Sequence, residues 1–134
     1  MTNFKGIIIE ESLENKDVLK KVKIISTTVE KVIPEHKTPW IKQWTLHTIE
    51  ISEEKADIIA KELSESIDKK HKSSWFADFE NEKDHYIIFV GKFFKVNKKK
   101  KEQYYPVVEY AVSLGIPKYQ LAFDPEWEKN PKRL

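Results

Sequence analysis

Apolar residues recur along this chain in two rhythms, a period of two over most of its length and a helical period in two places. Residues 4–11 hold the dense run Ile7-Ile8-Ile9, the pattern of a strand covered on both faces. Residues 12–21 scatter Leu13, Val18 and Leu19 among charges and read as a loop with a short helical turn. Residues 22–32 are rich in Val, Ile and Thr and read as a strand. Pro34 and Pro39, which cannot donate to a ladder, bound a connection. Residues 40–51 form the clearest long strand. Ile41, Gln43, Thr45, His47, Ile49 and Ile51 share one face, and Lys42, Trp44, Leu46, Thr48 and Glu50 the other. Neither face is wholly apolar, which predicts a bulge or a partly exposed face.

Ala56, Ile59, Ala60, Leu63 and Ile67 then fall on one side of a helix over 52–68, with Ser52 as N-cap and Glu53 and Glu54 in the first turn, where the helix dipole favours negative charge. Residues 69–74 are a polar linker. Strands follow over 75–80, 84–90 and 92–96, joined by a turn at 81–83 and a tight turn with Gly91 at its first central position. A basic loop at 97–101 leads to a second helix that ends near Leu114, with Gly115 as the left-handed residue and Pro117 beyond it. Pro106 requires that helix to begin close to it or to open with a distorted turn. Residues 119–123 suggest a short last strand. The predicted fold is α+β, ordered βββαβββα: a mostly antiparallel sheet of about six strands with both helices on one face. Residues 1–123 make one domain and 124–134 a C-terminal tail.

Composition narrows the function classes. The chain has 134 residues, enough for one domain with its own core. It has no cysteine, which removes thiol catalysis, disulfides and thiolate zinc sites. No apolar window reaches the ~20 residues of a membrane span, and the amino terminus lacks the pattern of a secretion signal. The expected setting is the cytoplasm, with no membrane partner. The net charge is only +2, and every basic residue but Arg133 is lysine. A body without arginine is poorly equipped for bidentate reading of phosphates or guanine edges. With three glycines and no G-x-G-x-x-G or Walker loop, no nucleotide motif is present.

The segments His36-Lys37-Thr38-Pro39-Trp40, Trp44-Thr45-Leu46-His47-Thr48 and Ser113-Leu114-Gly115-Ile116-Pro117 resemble stretches of a group of small prokaryotic proteins with no assigned function. The resemblance implies a bacterial or archaeal source. It implies no chemistry and carries over no site residue.

Three constellations merit attention. The histidines 36, 47, 71 and 85 show no metal-ligand spacing, so neither a metal nor another cofactor is expected. His47 shares its predicted face with Gln43 and Thr45, polar groups able to hold an imidazole in one tautomer. That makes it a candidate general base, with Gln43 or a carboxylate such as Asp78 as orienter. A half-exposed strand histidine is the ordinary alternative. Asp78 and Glu80 lie two apart on one face, where they could share a proton or hold a hard cation, or merely form a solvated outer face. Asp84 and His85 are adjacent on a strand and point to opposite faces, which prevents a dyad.

The third constellation is aromatic. Trp40, Trp44 and Phe76 are candidates for an exposed surface that binds a protein, a small ligand or a second copy of the chain, against the alternative of ordinary core. The basic runs at 69–72 and 98–101 could track single-stranded nucleic acid, but the modest charge argues against that partner. The reading reached from sequence is a small binding or interaction module with an aromatic surface. Its alternatives are a metal-free acid–base enzyme using His47 and a weak single-strand nucleic-acid binder.

Overall fold

The computed structural model describes residues 3–34, 41–69, 75–121 and 123–125. Six strands form one sheet: β1 (Phe4–Ile9), β2 (Lys23–Lys31), β3 (Gln43–Ile51), β4 (Ala77–Glu80), β5 (Asp84–Phe89) and β6 (Lys92–Asn97). The spatial order is β2-β3-β1-β4-β5-β6, and every neighbouring pair is antiparallel. Helix α1 (Ala56–Ser66) links β3 to β4, and α2 (Tyr104–Ser113) follows β6. The predicted α+β class, strand number and βββαβββα order are those observed. Since β3 and β4 both run antiparallel to β1, they are parallel to one another, and α1 carries the chain across the strand between them.

The helices sit on opposite faces of the sheet, not together on one. Along β5, Tyr86 and Ile88 belong to a core with Phe4, Ile8, Ile49, Phe79 and the α1 residues Ile59, Ala60 and Leu63. Ile87 and Phe89, which point the other way, belong to a second core with Val96, Ile116, Leu121 and the α2 residues Val107, Val108 and Ala111. A strand apolar on both faces needs cover on both, and Ile87 and Ile88 are each fully buried. Each such side chain contributes about 1.5–3 kcal/mol. Among the described residues the second face is covered around β5 and β6 but not over β1, where Ile7 is exposed.

Local chemistry explains the element ends. Ser52 precedes a 3-10 turn (Glu53–Lys55), and its carbonyl, not its side chain, accepts the closing bond from the Lys55 N–H. Helix α2 opens at Tyr104 with Pro106 inside the first turn, where a missing N–H costs nothing. It closes in a Schellman motif. The Ile116 N–H reaches the Ala111 carbonyl, the Gly115 N–H reaches Val112, and Gly115 has φ +89°. The β5–β6 turn uses Val90 and Gly91, so Gly91 (φ +74°) stands second, not first, because Phe89 pairs with Lys92. The segment expected to form a last strand instead contains a 3-10 turn (Lys118–Gln120). Gly6 lies where β1 meets β4; a Cβ there would come within 2.0 Å of the Asp78 carbonyl oxygen. Among the described residues no helix is long and apolar enough to cross a membrane.

Candidate functional site

The second face gathers polar groups at the edge of its core. Asp78 and Glu80 are alternate residues of β4 and point to this face. Glu80 pairs directly with His85 of β5, so the imidazole joins the two carboxylates. The hairpin turn is held by the Asn81 carboxamide oxygen, which accepts from the N–H groups of Lys83 (2.9 Å) and Asp84 (2.8 Å). Tyr104, the first residue of α2, closes over the ring. Its hydroxyl lies 3.0 Å from His85 Nδ1.

The basic loop after β6 is more ordered than a solvated run would be. The Asn97 N–H donates to the Gln103 side chain at 2.8 Å, and the Lys98 N–H to the Lys83 carbonyl at 2.9 Å. This folds Lys98 back, so that its ammonium reaches Glu80 Oε1 and the Asn81 carbonyl, both at 3.0 Å.

His85 is the centre of the arrangement. Its side chain is 5% exposed, against 37% for Asp78 and 46% for Glu80. Nε2 stands 2.7 Å from Asp78 Oδ2 and 3.5 Å from Glu80 Oε2. One ligand atom from each of the three residues lies within 4.8 Å of the others. Burial, and then the charges of Glu80 and Asp78, push the Tyr104 hydroxyl up to about 12, so it stays a neutral phenol at ordinary pH. The group opens onto a pocket of about 370 Å³ walled by Tyr104, Phe123, Lys98, Lys101 and Asp124. A broader, shallower depression over Lys5, Ile7 and Thr48 adjoins it, sharing Asp78, Glu80 and Lys98.

His47 lies on the first face, 7% exposed, in a separate network. Its Nε2 is 2.9 Å from Glu10 Oε1 and its Nδ1 2.9 Å from the Thr27 hydroxyl. The hydrogen bond from His47, followed by the charge of Lys16, holds the Glu10 carboxyl below its ordinary value despite partial burial. Neighbouring Glu11 accepts from the Thr45 N–H at 2.6 Å and from its hydroxyl at 2.7 Å. These bonds fasten the end of β1 to β3.

The sequence candidates therefore separate. Gln43 hydrogen-bonds Thr45 at 3.5 Å, and the ring partners of His47 are Glu10 and Thr27. Asp78 stands on the face opposite His47, since Ile7 pairs with Asp78 and its neighbour Ile8 pairs with His47. Asp78 serves His85 instead. Trp44 packs on the first core with its ring 5.5 Å from that of Trp75. Phe76 packs on the second core against Phe89 and Phe123. They do not form one aromatic surface, and Trp40 lies outside the described residues, as do His36 and His71. Sequence reading found the carboxylate pair but not its histidine, took Lys98 only as part of a basic run, and gave Tyr104 no role beside the carboxylates.

No protein-family model, curated protein or solved structure matches the chain.

Proposed function

We propose that the protein is a small divalent-cation-binding domain, the cation held by Asp78, Glu80 and His85 at the mouth of the second-face pocket. One observation carries the reading: a nearly buried imidazole turns one nitrogen toward two carboxylates while a tyrosine hydroxyl holds the other. A histidine ligand normally has its second nitrogen fixed by such an outer partner, which sets tautomer and ring angle. Bonds of about 2.0–2.2 Å to a cation separate its ligands by roughly 3–4.4 Å. The 3.5 Å between His85 Nε2 and Glu80 Oε2 already meets this, and the Asp78 contact needs only a small opening. One imidazole and two carboxylates suit zinc or manganese better than a soft ion. Three protein ligands leave positions open toward the pocket, where a bound water or a small anionic ligand beside Lys98 and Lys101 would sit.

Calorimetric titration of the metal-stripped protein with zinc and with manganese tests this. One site per chain is expected, lost in His85→Ala, and weakened about tenfold in Tyr104→Phe through the outer partner. Paramagnetic manganese should broaden NMR signals of residues 78, 80 and 85 first. Absence of saturable binding of either ion overturns the proposal.

A second reading rests on the 2.7 Å Nε2–Oδ2 contact, which is a complete hydrogen bond as it stands. Asp78, His85 and Tyr104 then form a metal-free proton chain: Nε2–H donates to Asp78, and the phenol donates to Nδ1. It predicts ligand binding that is lost in His85→Ala and does not respond to chelator.

A further inference from the structure

The outer edge of the sheet at β2 carries an inference independent of the cation site. All nine residues of β2 are exposed, and among the described residues β2 borders only β3. Ile24 and Val29, on one face, are 42% and 57% exposed. A strand edge of this length and apolar content is a template for pairing with another strand. We infer that a second copy of this chain pairs antiparallel along β2, joining two six-stranded sheets into one across a two-fold axis at Thr27.

The register argues for a second copy. The β2–β3 ladder is bulged: Ile24 pairs with Ile49 and Ser26 with Thr48, leaving Ile25 as the extra residue. Around a two-fold axis at Thr27, Ser26 meets Thr28 of the other copy. The bulge at Ile25 then advances the pairing by one, so that Ile24 meets Val29 and Lys23 meets Glu30, each pair on a common face. Ile24 and Val29 are covered and both charges are matched, twice over by symmetry, while Ile25, 47% exposed, remains the extra residue of the bulge. A register that ignored the bulge would set Lys23 against Lys31 and Ile24 against Glu30. The bulge and the flanking lysines are devices that guard an edge against indiscriminate pairing, and here they select one self-complementary alignment.

A charge-swap cycle on the full chain, followed by sedimentation equilibrium from micromolar to millimolar concentration, tests the inference. The unaltered protein should dimerise reversibly. Lys23→Glu and Glu30→Lys, each alone, place like charges opposite at two symmetric positions and should weaken dimerisation by about tenfold. The double variant restores opposite charges and should recover the original constant, and Val29→Lys should leave a monomer whose circular dichroism is unchanged. A monomer at every concentration overturns the inference and leaves this edge to another occupant. Single reversals without effect, or a double variant no better than the singles, overturn it equally.

Discussion

His85 and Asp78 face one another across the β4–β5 hairpin, Nε2 2.7 Å from Oδ2, while His47, the other buried histidine among the described residues, lies on the opposite face with Glu10. Two carboxylate–histidine pairs thus occupy the two sides of one sheet. They differ in what surrounds them. The His47 pair is closed by Thr27 and Lys16 and fastens strands, whereas the His85 pair has a second carboxylate, a phenol and a pocket.

The raised Tyr104 value gives an alkaline signature. A folded-state value above the ordinary 10 means that the stability contributed by the neutral phenol is complete below pH 10. It is lost as pH rises through about 12. The decline from this group is on the order of 2 kcal/mol. Tyr104→Phe should cost about 1 kcal/mol at neutral pH through the lost bond to His85, and should lack that alkaline decline. Urea titrations at neutral pH and near pH 11.5 measure both arms. Tyr86, also raised by burial and by its bond to Asp57, is present in both proteins and cancels in the difference.

Gly6→Ala should be among the most damaging small substitutions. The added methyl meets the Asp78 carbonyl oxygen at 2.0 Å and Phe79 Cα at 2.6 Å, both backbone atoms that cannot rotate away. A loss of about 3 kcal/mol or more is expected from denaturant melts. Because β4 must shift to relieve the clash, the variant should also perturb the His85 NMR signals.

The first-face pair has an acid signature. Glu10 is held below 4.5, so its contribution is present above the ordinary carboxylate value and fades as pH falls through the lower folded value. Glu10→Gln should therefore be less stable than the unaltered chain at neutral pH, by no more than about 1 kcal/mol for so exposed a group. The gap should shrink toward zero in melts taken progressively below pH 4.

What sequence periodicity determined is substantial. Dense apolar runs, β-branched composition and alternation identified the six strands, helical spacing in Ala56, Ile59, Ala60 and Leu63 identified α1, and the Gly115–Pro117 pattern located the end of α2. These are consequences of contacts between near neighbours, which the chain carries in its own order. The spacing of Asp78 and Glu80 likewise put both carboxylates on one face.

Tertiary structure alone decided the rest, because a two-residue period makes every long-range outcome hinge on register. The turn at residues 81–83 with strands ending at 80 and resuming at 84 sets Glu80 against Asp84; the observed hairpin sets it against His85, one residue away. That single step converts an outward carboxylate pair into a three-residue cluster around an imidazole. The same parity governs the layers. Tyr86 and Ile88 demand cover on one side and Ile87 and Phe89 on the other, and no local signal says which helix answers which face. His47 was visible as a strand histidine, but its partners Glu10 and Thr27 arrive from β2 and the end of β1, at separations no spacing rule reaches.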